Sequence, residues 1–348
     1  MSADIARDRA PGREKPLLTA QGLTKHFPLA RQAGNPFARR FLHAVDDVNL
    51  ELYPREIVAL VGESGSGKST VARLLALVYR PTRGEIRFHD QPLQSLRSRR
   101  QMLSYRSHVQ MVLQDPYSSI NAVYPASHGI LRSLKLHSRG RSRRAQIERA
   151  KQLLDSVGLS PADEFIRKYP HELSGGQRQR IGFAQALACS PELILADEPV
   201  SMLDVSIRIG VLNLMAELRN REGVSFLYIT HDLASARYIA DRVLVMYAGY
   251  VVETGPVEDV LSQPKHPYTQ LLLASVPDPR APDTATPVTD LGEPPRVVDP
   301  GEGCRFRNRC PYAVARCAEE TPRLRLLRHD HMAACHVATA DMPVPRDA

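Results

Sequence analysis

An α/β fold around a mostly parallel sheet is predicted by three observations. The apolar run Ile57-Val58-Ala59-Leu60-Val61 leads directly into the glycine-rich segment 62–67, and a helical pattern follows from Thr70 to Val78. A buried strand, a glycine loop and a helix in that order make half of a βαβ unit. Two further apolar runs, Leu193–Ala196 and Val224–Ile229, flank a helical pattern over about 205–221. Buried strands alternating with helices describe a sheet covered on both faces.

The remaining segments take their places around that core. Residues 1–16 are polar, carry Pro and Gly, and read as a loose tail. Residues 17–60 hold short β-like runs. Residues 116–190 read mostly as helices, with charged faces around Arg139–Arg144 and Glu148–Lys151, and form a helical subdomain inserted between the halves of the core. Proline recurs at 277, 279, 282, 287, 294, 295 and 300, which marks a linker into a small cysteine-containing tail over 276–348.

Composition bounds the class. A chain of 348 residues, 24% charged and 43% hydrophobic, is that of a folded protein of about two domains. The net charge is +8, with only seven Lys among 46 basic residues, and charge alone selects no partner. The first 15 residues lack an apolar h-region, and no run of about 18 apolar residues occurs. Five cysteines, with Cys189 alone mid-chain, do not make a disulfide framework. A cytosolic protein that can sit against a membrane is expected.

The loop Gly62-Glu63-Ser64-Gly65-Ser66-Gly67-Lys68-Ser69 fits G-x-x-x-x-G-K-[ST]. Glycines let the backbone curl so that successive N–H groups face phosphate oxygens, and the following helix adds partial positive charge. Lys68 then reaches the β- and γ-phosphates, and Ser69 places its hydroxyl on Mg²⁺. Leu193-Ile194-Leu195-Ala196-Asp197-Glu198 puts a second acidic site at the end of a buried strand. Asp197 is placed to hold Mg²⁺, directly or through water. Glu198 points the other way and is suited to orient or deprotonate an attacking water.

Leu173-Ser174-Gly175-Gly176-Gln177, together with the phosphate loop and Asp197-Glu198, resembles the nucleotide-binding subunits of ABC transporters over about 17–275. The resemblance implies a P-loop NTPase, ABC-type domain over that range, with ATP and Mg²⁺ as cofactors. It implies that Ser174 and Gly176, within the loop Ser174–Gln177, cap the γ-phosphate of ATP on a facing subunit. A Ser that caps the helix start is the plain structural reading, and both hold together. Gln114, in Gln114-Asp115-Pro116, resembles the glutamine that touches Mg²⁺ or the attacking water. Ser201-Met202-Leu203-Asp204 resembles the D-loop, with Met in place of the usual Ala and Asp204 retained. His231, in Thr230-His231-Asp232, resembles the switch histidine that contacts the γ-phosphate. Phe27 is the candidate for the aromatic that stacks on adenine, separated from the phosphate loop by the basic insertion 31–40. Gly62, Ser64, Gly65, Gly67, Lys68, Ser69 and Thr70 complete the nucleotide set. The implied mechanism is a head-to-tail dimer closing over two ATP molecules, with Glu198 activating water.

Two features narrow the branch. His266-Pro267-Tyr268-Thr269, followed by Leu271–Ser275, is similar to the C-terminal motif of oligopeptide and dipeptide importer ATPases, a motif that nickel importers share. Gln114–Asn121 also resembles that branch, with Ala122 and Val123 departing from the usual Pro-Arg. The tail reads Cys304-x5-Cys310-x6-Cys317-x17-Cys335. Four thiolates suit zinc or an iron–sulfur cluster, and free thiols fit as well; the absence of paired C-x2-C weakens zinc. By resemblance the set implies a [4Fe–4S] cluster. Arg305, Arg307, Arg309 and Arg316 around it read as a solvated surface.

The resemblance implies a peripheral subunit at the cytoplasmic face of the inner membrane. Its partners are a second ATPase subunit, more often non-identical, two transmembrane permease subunits and, through them, an extracytoplasmic solute-binding protein. No nucleic-acid partner is expected: an ABC-type ATPase acting on nucleic acid or ribosomes is the alternative. That class commonly carries two cassettes or a coiled-coil insertion, which this chain lacks, and it gives His-Pro-Tyr-Thr no role. Cargo identity lies with the membrane and binding subunits.

Overall fold

The computed structural model describes residues 15–29, 39–115, 120–137, 142–275 and 296–340. Most of the N-terminal tail, most of the basic insertion, Pro116–Ser119 and the linker prolines 277–295 lie outside the described residues. The strands among the described residues are β1 Leu18–Pro28, β2 Phe41–Leu52, β3 Ile57–Val61, β4 Arg83–Phe88, β5 Gln91–Pro92, β6 Val109–Val112, β7 Leu193–Asp197, β8 Ser225–Thr230, β9 Arg242–Tyr247, β10 Tyr250–Pro256, β11 Arg325–Arg328 and β12 His331–Ala333.

Eight of them form the main sheet in the order β11-β12-β10-β9-β3-β8-β7-β6. From β9 to β6 every pairing is parallel, while β10, β12 and β11 continue antiparallel. The three strands expected from apolar runs are the central ones, and β3, β7 and β8 are buried along their whole length. Their alternation feeds two cores. Ile57, Ala59 and Val61 pack among the helices 143–218, whereas Val58 and Leu60 pack against helix Lys68–Leu75. Each fully buried aliphatic side chain is worth about 1.5–3 kcal/mol, so both faces of the sheet are held hard.

The second core has a lid that the sequence reading compressed into short runs. β1 and β2 span 11 and 12 residues and form, with β4 and β5, a separate antiparallel sheet in the order β2-β1-β4-β5. Helix Lys68–Leu75 therefore sits between two sheets, which fixes its N-terminus and the phosphate loop ahead of it.

Helices His128–His137, Arg143–Ser156, Ala162–Phe165 and Gly175–Leu187 fill the stretch read as mostly helical. The C-terminal lobe is joined to the core more closely than a tail on a linker. β12 pairs with β10, so the lobe lengthens the main sheet. Fully buried Glu253 on β10 accepts from His331 Nε2 at 2.6 Å and from the backbone N–H groups of Lys265 and His266.

Candidate ATP-hydrolysis site

The phosphate loop ends on Gly67, whose φ of +106° lies in the left-handed region that glycine alone adopts cheaply. A Cβ there would stand 2.1 Å from the Ala44 carbonyl oxygen on β2. Gly62 is fixed in the same way, since its Cβ would stand 2.1 Å from the Met246 carbonyl oxygen on β9. Backbone from both sheets thus presses the loop into shape. Gly249 N–H donates to the Ser66 carbonyl at 2.9 Å and ties the loop to the turn after β9.

Within this cradle Lys68 Nζ donates to the Gly62 and Glu63 carbonyls at 2.7 and 2.9 Å. Burial lowers the Lys68 pKa, and the carboxylates of Glu198, Asp197 and Glu63 oppose that shift. Ser66 Oγ is buried without a hydrogen-bond partner, an unmet polar group in a loop shaped for anions. Ser64 and Gly65 are exposed, and Ser69 and Thr70 are half-buried at the start of the helix.

β7 delivers Asp197 beside that helix, where Ser69 Oγ donates to its carboxylate at 2.8 Å. Burial raises the Asp197 pKa, only partly offset by the Ser69 hydrogen bond and by Arg73 and Lys68. A buried carboxylate paired with one hydroxyl is a donor set suited to Mg²⁺, and oxygen ligands are what that ion takes.

Glu198 leaves the strand with φ +47°, an uncommon conformation for a non-glycine residue. Its N–H donates to the Ile229 carbonyl, and its own carbonyl accepts from Ser201 N–H and Oγ, which holds the turn. The side chain turns toward two partners. Gln114 Nε2 donates to Glu198 Oε2 at 3.2 Å, and His231 Nδ1 lies 3.3 Å from the same oxygen. His231 follows β8 and keeps 59% of its side chain exposed. Arg208 Nη1 on helix Val205–Glu222 bonds Asp232 at 3.4 Å, so the segment carrying Asp204 is linked to the His231 turn.

Ser174 caps helix Gly175–Leu187. Its Oγ accepts from Gln177 N–H at 3.3 Å, and Gln177 Oε1 accepts from Ser174 N–H at 3.0 Å. Gly176 is needed for packing, because a Cβ would come within 2.3 Å of Ile207 Cγ2. A Cβ on neighbouring Gly175 would stand 3.3 Å from Leu203 Cδ2, so the loop lies against the 203–207 segment. Asp204 is exposed and its side chain makes no capping bond. Phe27 is half-buried, edge-on to Tyr79 at 5.3 Å, with Lys25 Nζ 5.1 Å from its ring centre.

A family model described as ABC transporter matches residues 45–201, and one described as oligopeptide/dipeptide transporter, C-terminal region, matches residues 252–317. YkfD of Bacillus subtilis is 40% identical over 93% of this chain and 96% of its own length. The chain is an ABC transporter ATP-binding subunit of the oligopeptide/dipeptide branch. The Di/tripeptide transport ATP-binding protein DppF of Pseudomonas aeruginosa is 41% identical over 92% of this ATPase subunit and 98% of that protein. The ATP-binding cassette MJ0796, in a dimeric post-hydrolysis state bound to ADP and Pi, superposes with a TM-score of 0.61 at 27% identity. It covers 69% of this chain and 98% of that one. Among the described residues no helix of this subunit is long and apolar enough to cross a membrane.

The branch-specific C-terminal region reaches the site, which sequence reasoning did not foresee. Tyr268 Oη accepts from Glu63 N–H in the phosphate loop at 2.9 Å. Arg305 and Arg309, read as solvated surface, are half-buried and paired instead. Arg305 donates to Asp46 and to the Ala248 carbonyl, and Arg309 to Glu63. Arg307 and Arg316 do lie at the surface. The error came from periodicity: a loop-rich lobe gives no buried-face pattern to read.

His266 begins helix Pro267–Ala274 and accepts Tyr268 N–H on Nδ1 at 3.0 Å. Complete burial pushes its pKa from 6.5 down to about 4. The unfolded chain therefore takes up a proton between those values that the folded chain refuses. Stability is fully present above about pH 6.5 and is lost as pH falls toward 4, by up to about 3 kcal/mol. Urea midpoints at pH 7 and pH 5 should show the loss, and His266→Asn, which keeps a capping acceptor, should flatten it.

Proposed function

We propose that this subunit hydrolyses ATP to energise uptake of di- or oligopeptides, or related small solutes, across the cytoplasmic membrane. The meeting of Gln114 and His231 on one oxygen of Glu198, beside the Ser69–Asp197 pair, carries the reading. Glu198 is the base that takes a proton from water, while Gln114 orients that water and His231 contacts the γ-phosphate. Lys68 binds the β- and γ-phosphates, and the loop amides of Gly62, Ser64, Gly65, Gly67 and Thr70 wrap the chain of phosphates. Ser69, Asp197 and Gln114 would hold Mg²⁺, which would supply neutralisation of the developing phosphate charge. Phe27 stacks on adenine. Ser174–Gln177 and Asp204 act on ATP held by the facing subunit, a role supported by the exposure of Ser174 and Asp204. Residues 17–275 form the nucleotide-binding domain and 276–348 the linker and cysteine lobe.

The names of the relatives support peptide cargo, and the C-terminal match supports the same branch. The partners under this reading are a second, non-identical ATPase and two permease subunits at the cytoplasmic face of the inner membrane. A solute-binding protein delivers cargo from outside, and nucleic acid has no part. The cysteine lobe holds a [4Fe–4S] cluster on Cys304, Cys310, Cys317 and Cys335. Four thiols in one lobe, close enough to act on one another electrostatically, are a donor set that suits such a group. Burial raises the pKa of Cys304, Cys335 and Cys310, the last to about 11, so loading must release protons.

One purification tests both. The tagged Glu198→Gln subunit, solubilised from membranes with ATP and Mg²⁺ under anaerobic conditions, should bring two multi-span proteins and a second ATPase. Iron should accompany it at about four per chain. Recovery from the soluble fraction with nucleic acid or ribosomes would overturn the importer reading, and iron-free protein the cluster.

A further inference from the structure

Arg309 sits in the cysteine lobe yet meets the phosphate loop. Its Nη1 and Nη2 lie 3.1 and 3.2 Å from the two carboxylate oxygens of Glu63, a fork-on-fork pair. The two side chains are 12% and 23% exposed, so solvent screens the pair weakly. Aromatic rings fix the guanidinium, with Tyr247 and Phe306 ring centres at 5.6 and 5.9 Å and Tyr247 Oη at 3.4 Å from Nη1. Glu63 is gripped at its other groups too: its N–H by Tyr268 Oη and its carbonyl by Lys68 Nζ.

An acidic side chain two positions from Gly65 is a liability in a loop that must take a triphosphate. Unpaired, it repels the ligand, and it can swing onto the Lys68 ammonium and compete with the phosphates for it. We propose that Arg309 is a positioning residue for ATP binding, holding the Glu63 carboxylate toward the C-terminal lobe and away from Lys68. This rests on the reading of Gly62–Thr70 as the ATP site. The contact is not required to dock the lobe. Arg305 bonds Asp46 and Ala248, His331 bonds Glu253, and β12 pairs with β10 without it. The branch-specific motif and the cysteine lobe thus converge on one residue of the phosphate loop, which gives His-Pro-Tyr-Thr a task through Tyr268.

The test is a double-mutant cycle on the full chain, read as affinity for a fluorescent ATP analogue. Arg309→Ala should weaken binding about tenfold. Arg309→Lys, which keeps the charge and loses the fork, should recover part of that. The decisive variant is Glu63→Gln combined with Arg309→Ala, which should bind about as tightly as Glu63→Gln alone, since the charge to be restrained is gone. A purely structural role for Arg309 would leave the double variant as weak as Arg309→Ala, and that result overturns the proposal. So does unaltered affinity in Arg309→Ala. Arg309→Gln carries the same comparison should the alanine variant be insoluble. Lys68→Ala separates the two levels of argument: if it binds like the unaltered chain, the ATP site itself has been misplaced.

Discussion

Glu198→Gln is expected to bind ATP and to hydrolyse it about 10²–10⁴-fold more slowly than the unaltered subunit. The amide keeps the volume of the side chain and its place in the turn, because Ile229 and Ser201 hold that turn through the Glu198 backbone. What it loses is the ability to accept a proton. Binding survives because Lys68, Ser69 and the loop amides belong to other elements. Single-turnover hydrolysis beside a nucleotide titration separates the two properties. A rate within threefold of the unaltered subunit would remove Glu198 from the role of base and leave Gln114 and His231 gathered around the wrong residue.

Gly67→Ala should be the most damaging small change in the molecule. The new methyl would need space held by the Ala44 carbonyl, at 2.1 Å, and would also press on Met246 Cε at 2.8 Å. The methionine can turn aside; the carbonyl belongs to β2 and cannot. The left-handed φ of +106° adds strain of its own. The cost should be about 3 kcal/mol or more, which lowers the melting temperature by roughly 6–12 °C in a domain of this size. Nucleotide binding should disappear with it, since relief of the clash moves the N–H of Lys68. A melting temperature within about 2 °C of the unaltered subunit would mean that the loop yields where β2 is described as rigid.

Half of the candidate site could be read because its residues are punctuated. Gly62–Ser69, Asp197-Glu198 and His231 each follow an apolar run that reads as a buried-strand candidate, and β3, β7 and β8 stand where those runs stand. Gln114, Asp204 and the role of His231 came through family likeness, and no local pattern marks the first two. The antiparallel sheet was read only as short runs because β1 and β2 are irregular: register shifts interrupt their pairing at several points, and half-buried residues blur the alternation. Arg305 and Arg309 were misread for a related reason. Their partners, Asp46 and Glu63, lie some 250 residues earlier, and neither periodicity nor spacing reports a contact over that distance.

The union of β12 with β10 has a consequence for anyone who would shorten or recombine this subunit. A cassette ended after helix Pro267–Ala274 would leave β10 with a bare row of N–H and C=O groups, the kind of margin along which chains stack and aggregate. Glu253 would lose His331 and keep its carboxylate in a hollow opened on one side. The stretch that follows the branch-marking region is therefore the selvedge of the sheet, and the fabric frays where it is cut.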